Sequence, residues 1–175
     1  EDMNAVNPEL GFINIHYYAA AATLYGSVAQ GGYQYEGQIY MMQNHHVEEA
    51  DTCIECHNPH TLEVNLTLCQ DCHEDVESVE DLQFIRMNGS LNDYDGDDDI
   101  NEGIAEEIIG LQELLYEAIQ AYATEIAGAG IVYDAHSHPY FFIDTNGNGE
   151  ADEDEVNGDN KYVSFTGNLL TAAYN

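Results

Sequence analysis

The sequence predicts one domain that is mostly irregular and α-helical, with a small β-hairpin and little regular secondary structure. Three observations predict this. Helical apolar periodicity is sustained over only one long stretch, where Ile104, Ile108, Leu111, Leu115, Ala118 and Tyr122 recur at alternating spacings of four and three. All 4 Cys are gathered between positions 53 and 73, in CIECHNPHTLEVNLTLCQDCH. The charge is one-sided, with 34 Asp plus Glu against 2 Lys plus Arg and a formal −32. A composition of 44% hydrophobic residues with 13 Tyr still favours a folded chain, and 175 residues suffice for one core.

The elements follow in order. Residues 1–50 hold a short helix at 17–25, YYAAAATLY, and a hairpin at 31–42, GGYQYEGQIYMM, alternating about Glu36-Gly37. Residues 51–85 hold the cysteines. Residues 86–130 hold an acidic loop and the long helix, with Asp99-x-x-Glu102 as its capping box, core packing as the role of its stripe, and a stop before the GAG at 128–130. Residues 131–175 hold a strand, YFFI, and a second acidic loop. No apolar run approaches membrane-spanning length. The chain opens EDMNAV without a start Met or signal peptide, which reads as a processed mature form. So negative a surface repels phosphate backbones and anionic lipid, so nucleic-acid and membrane-surface roles are excluded.

The cysteines admit three chemistries. Disulfides are the default in an exported acidic protein, but a two-residue gap is a redox or metal spacing. Zinc would take Cys53-x2-Cys56 and Cys69-x2-Cys72 as four thiolates. The residue after each pair separates the cases. His57 follows Cys56 and His73 follows Cys72; a four-thiolate zinc site has no use for either. A c-type haem needs both, because the thiols become thioethers and the next imidazole binds iron. Two such motifs consume every cysteine, so the sequence predicts two covalent haems. Attachment of this kind occurs outside the cytoplasmic membrane, which predicts an extracellular or cell-surface protein, the periplasm being the alternative.

The sixth ligand decides whether an iron does chemistry or passes electrons. Beyond the two proximal residues, His16, His45, His46, His60, His136 and His138 remain for two positions. His60 leads, because Pro59 ends any helix begun at the motif and turns His60 away from its own iron. His46 and His16 come next. The surplus favours bis-histidine haems, hence electron transfer and not catalysis, with a low reduction potential in anionic surroundings. An enzyme would need a five-coordinate iron instead, and a calcium-dependent surface module would be indifferent to redox state.

Two acidic loops resemble calcium loops. In NDYDGDDDINEG, Asp93, Asp95, Asp97 and Asp99 fill positions 1, 3, 5 and 7, although position 6 is Asp98 and position 12 is Ile104, leaving Glu102 or Glu106 as a displaced ligand. In DTNGNGEADEDE the register is complete, with Asp144, Asn146, Asn148, Glu150, Asp152 and Glu155 at 1, 3, 5, 7, 9 and 12 and Gly149 at 6. Two calcium ions and two haems would still leave the protein near −30, about where it began. The sequons Asn65-Leu66-Thr67 and Asn88-Gly89-Ser90 are candidate glycan sites in an exported chain.

Four segments together resemble the large multihaem c-type cytochromes of metal-respiring bacteria and archaea: GFINIHYYAAAATLYG, the paired haem motifs with CHNPH, NDYDGDDDINEGIAEEI, and YFFIDTNGNGEADEDE. The resemblance implies a haem-organised architecture, bis-histidine ligation, extracellular electron transfer and, in some relatives, polymerisation into filaments. It supports His16, His46 and His60, which lie in matching segments. Here only two motifs stand where such relatives have several, so the chain is either a minimal repeating unit or a piece of a longer cytochrome. Copies stacked head to tail by a non-closing contact would form a wire, with a spare histidine reaching a neighbouring haem.

Overall fold

Regular structure is sparse in the computed structural model. Its helices are α1 (Cys53–Cys56), α2 (Leu66–Gln70), α3 (Ile104–Tyr122) and α4 (Gly167–Ala172), with strands β1 (Ile131–Tyr133) and β2 (Phe141–Ile143). Residues 2–14, 24–29, 33–43, 45–48, 50–87 and 89–175 are described. His16, Asn88 and most of the expected helix at 17–25 fall outside them.

The chain divides into two compact units. One comprises Glu1–Ala19, Gln30–Tyr40 and Leu115–Asn175; the other comprises Ala20–Ala29 and Met41–Leu114. The first, here the core unit, packs Ile119, Ala123, Ile131, Phe141, Tyr162, Phe165 and Leu169 into one apolar cluster. Phe141, Phe165 and Tyr162 meet edge to face at centroid distances of 5.0–6.0 Å, an arrangement aromatic pairs prefer. The strands pair antiparallel, Ile131 opposite Ile143 and Tyr133 opposite Phe141. Tyr162 is buried and donates to the Ala129 carbonyl at 3.1 Å; burial pushes its phenol up to about 12. Thr166 caps α4 by accepting the Leu169 N–H at 3.1 Å.

The second unit, here the cysteine unit, has almost no apolar core of its own. Among its described residues only Ala50 and Val76 are buried hydrophobics. Ile54 and Leu62 are each 71% exposed and Phe84 is 58% exposed, beside the cysteine motifs.

Helix α3 divides the same way. Leu115 and Ile119 pack into the core unit, whereas Ile104, Ile108 and Leu111, in the cysteine unit, are exposed. The stripe is thus core packing in its second half only. The cap also differs from expectation: Gly103, not Asp99, precedes the first turn and donates its N–H to Glu106 at 3.2 Å. A Cβ on Gly103 would lie 2.0 Å from the Gln83 carbonyl, so only glycine lets the chain cross there. After Tyr122 the helix loosens into a π-turn at Ala123–Ala127 and ends at Gly128, in the left-handed region with φ 77.

The hairpin expected at 31–42 is absent among the described residues. Its turn forms, with Gly37 at φ 82 and Gln38 donating to the Tyr35 carbonyl at 3.3 Å. Tyr35 N–H then bonds the Tyr40 hydroxyl at 2.8 Å, so a side chain takes the place of a strand ladder. The two-stranded sheet of the fold lies at 131–143 instead.

Candidate haem site

Both cysteine motifs adopt the same local geometry. In each, the histidine N–H bonds the carbonyl of the first cysteine at 2.8 Å, His57 to Cys53 and His73 to Cys69. One helical turn therefore presents both thiols and the imidazole, and all four thiols are free. Glu55 fixes the start of α1 by accepting from Thr52 N–H and Oγ at 2.8 Å each and from Asp51 N–H at 3.1 Å. These bonds, those from Thr52 above all, hold the Glu55 carboxyl below the usual range.

The segment between the motifs folds back on the first. Asn58 bonds the Glu63 carbonyl and Asn65 bonds the Cys56 carbonyl, both at 2.8 Å, while His57 and Val64 form a β-bridge. Leu62 takes φ 62, costly for a branched side chain, and its carbonyl lies 2.9 Å from His57 Nδ1. An imidazole that donates from Nδ1 keeps Nε2 for a metal. Asn65 links the two motifs, its N–H donating to the Cys56 carbonyl at 2.8 Å and its carbonyl accepting from Cys69 Sγ at 3.8 Å; burial above all, and Cys69 with it, pushes the Cys56 thiol up.

The second motif has a cavity. About 610 Å³ is lined by Cys72, His73, Val76, Phe84, Ile85 and Arg86 together with the acidic Glu74, Asp75 and Asp81. Beside it the rings of His46 and His73 lie 6.1 Å apart at an interplanar angle of 17°. The fold thus brings a second imidazole next to His73, where the two could serve the same group. His60 is exposed, in a turn held by Asn58 Oδ1 at 2.9 Å. His45 lies 3.8 Å from Asp51. His136 and His138 belong to the core unit, His138 against Tyr140 at 5.9 Å.

The chemistry of the donor set fits haem. Four free thiols stand in two equivalent turns, each turn followed by a histidine, and the exposed Ile54, Leu62 and Phe84 lie near them in sequence. Cys53, Cys56 and His57 would hold one group, and Cys69, Cys72 and His73 the other. The chemistry supplied there is the gain and loss of one electron at iron.

The two acidic loops share one backbone design. Asp93 accepts from Gly96 and Asp98 N–H; Asp144 accepts from Gly147 and Gly149. Asp95, Asp97, Asn146 and Asn148 each accept from the N–H two residues on. Asp98 has φ 76 where Gly149 has φ 79, so the missing glycine of the first loop is replaced by a strained Asp. A buried glutamate closes each loop. Glu155, 2% exposed, accepts from Thr145 and Asn146 N–H at 2.6 and 3.3 Å. Glu107, 0% exposed, accepts from Tyr94 and Asp95 N–H at 2.6 and 3.2 Å.

The remaining carboxylate oxygens differ. Glu155 Oε2 is buried without a partner; that of Glu107 is taken by the Arg86 guanidinium. Burial pushes Glu107 up, but Arg86 and the two backbone donors outweigh it and leave it below the usual range.

Among the described residues, carboxylates converge in threes only in the first loop: Asp93, Asp95 and Glu107, and Asp95, Asp97 and Glu102. Asp99 is in neither group and turns back on Asn101 N–H at 2.8 Å. Burial, with the charges of Asp97 and other acidic neighbours, holds Asp95 and Glu102 above the usual range. In the second loop Asn146 and Asn148 donate to Asp152, each at 2.8 Å, and Glu150 is exposed. Sequence reasoning missed Glu107 as a closing residue because it falls three places beyond the twelve-residue register, inside α3.

No known family profile matches the sequence, and no solved structure matches it. Over 90% of its length the chain is similar to two C-type polyheme cytochromes of Geobacter sulfurreducens, 26% identical to OmcC over 171 residues and 23% identical to OmcB over 186. This is a weak similarity to proteins named as polyheme c-type cytochromes. The chain spans about a fifth of the length of those relatives. The names of those proteins and the paired motifs agree on haem c. No described helix is long and apolar enough to cross a membrane.

Proposed function

We propose that this protein is a di-haem c-type cytochrome that carries electrons at the cell surface or outside the cell, as the repeating subunit of a filament of stacked bis-histidine haems. The parallel seating of His46 against His73 at 6.1 Å carries the reading. It supports His46 as the second axial ligand of the haem attached at Cys69 and Cys72. His60 or His16 serves the haem attached at Cys53 and Cys56, within this chain or in a neighbouring copy. With both axial places filled by histidine, substrate has no access to iron and electron exchange is the remaining role. Exposed apolar side chains around the motifs support a second copy as part of the cover, and calcium in the acidic loops would screen repulsion between copies. In the second loop the unpartnered Glu155 Oε2 supports a structural cation.

Spectroscopy and microscopy test this together. Two covalent haems per chain by pyridine haemochrome, a low-spin spectrum unmoved by cyanide, and continuous filaments in electron micrographs are expected. Pigment extractable by acidified acetone ends the haem reading. A cyanide-induced Soret shift in the native protein ends bis-histidine ligation. Discrete particles at every calcium and salt concentration end the filament. The one-fifth coverage of the relatives favours a second reading, a section of a longer multihaem cytochrome; native protein of several times this mass would establish it.

A further inference from the structure

The chain holds a single arginine, and it stands at the second haem motif. Arg86 is 12% exposed at its side chain and forms part of the wall of the cavity that contains Cys72 and His73. Its guanidinium is held by three acceptors: Nη1 donates to Glu107 and to the Glu102 carbonyl at 3.1 Å, and Nη2 to the Asn92 carbonyl. Its Nε is buried without an acceptor. Glu107 is itself pinned by Tyr94 and Asp95 N–H.

Burying such a pair contributes little net stability, since desolvation offsets the attraction. Its position calls for another account. The other charged side chains on that wall, Glu74, Asp75 and Asp81, are all acidic. Asp81 is tied up as an acceptor for Glu77 and Ser78 N–H. Arg86 is the one guanidinium among them.

We propose that Arg86, oriented by Glu107, is the positioning residue that sets the reduction potential of the haem held by Cys69, Cys72 and His73. The proposal rests on the di-haem reading above. A guanidinium stays charged whatever the iron does, and reduction adds one electron, so a nearby fixed cation stabilises the reduced form. Glu107 acts in the opposite sense and also aims the guanidinium.

The test is spectroelectrochemistry on the intact holoprotein, with pyridine haemochrome run on every variant. In R86Q, at an applied potential fixed at that haem's midpoint, its ratio of reduced to oxidised form falls roughly tenfold to twentyfold, the scale of one charge at about 10 Å in an effective dielectric of about 20. In E107Q the ratio rises, and R86Q/E107Q returns towards the native value. A role confined to folding would move both single variants the same way. Equal shifts of both haems, shifts of the same sign in the two variants, or no shift with both haems attached overturn the proposal. If R86Q does not fold, R86K and E107Q decide it, R86K holding the native potential where charge is what matters. Native protein without covalent haem would instead overturn the di-haem reading itself.

Discussion

The two units solve the problem of burial differently. The core unit closes on its own side chains, with Phe142 and Ala123 at 0% and Phe165, Ile131 and Leu169 at 1% exposure. The cysteine unit buries two small apolar residues and leaves Ile54, Leu62, Phe84, Met87 and Leu91 open. Its order comes from short polar devices: the Glu55 and Asp81 carboxylates capping local N–H groups, the Asn58 turn, and the Arg86–Glu107 pair. Such devices hold a local shape but supply little net stability. A bound group would add hydrophobic burial to such a unit. Helix α3 crosses from one regime to the other, which is why its stripe is buried at one end only.

The largest expected effect breaks the comparison outright. Produced without covalent haem attachment, the cysteine unit exchanges its amides at rates near those of an unfolded chain, while the Phe141 and Phe142 amides keep their protection. Uniform protection in hydrogen-exchange mass spectrometry would show that the cysteine unit has a core after all. Next, Phe165→Ala destabilises the core unit by about 3–5 kcal/mol in denaturant titration, with the visible spectrum of the folded protein unchanged. His46→Ala is milder for folding and sharp in the spectrum: the second haem turns high-spin and binds cyanide, so about half of the Soret band responds. A full low-spin spectrum in that variant would assign the ligand elsewhere.

The smallest effect is in pH. Hydrogen bonds to Glu55 and Asp81 lower both carboxyls. Their contribution is therefore complete above the ordinary carboxylate range and is lost as pH falls through the lowered folded values. Thermal melts from pH 7 to 3 should show an acid-side loss that the E55Q/D81N double variant no longer shows. An identical pH slope in that variant would place the acid sensitivity in other groups.

Much of this was legible in the residues. Two C-x-x-C-H motifs fix thiols and imidazole within one turn, so local geometry carries that information without help from the fold. The period of α3 and the strand before Asp144 are local signals too. The 31–42 segment was misread because alternation measures which face each residue takes, not whether a partner strand exists; here Tyr40 caps Tyr35. The Asp99–Glu102 cap was misread because Gly103 allows the chain to cross at Gln83, and no helix-capping rule records such a crossing. In the first acidic loop Glu107, not position 12, closes the turn, a choice made by Arg86 and the α3 register together.

The sequence by itself determined the cofactor chemistry and the one-sided charge, because both depend on residue type and spacing along a few covalent bonds. Only the tertiary structure decided that His46 lies against His73, that Arg86 stands on the wall beside Cys72, and that among the described residues one unit buries an aromatic cluster while the other buries only Ala50 and Val76 as apolar residues. Each of those depends on residues far apart in sequence being brought together, and burial is a property of the folded surface that no local window contains.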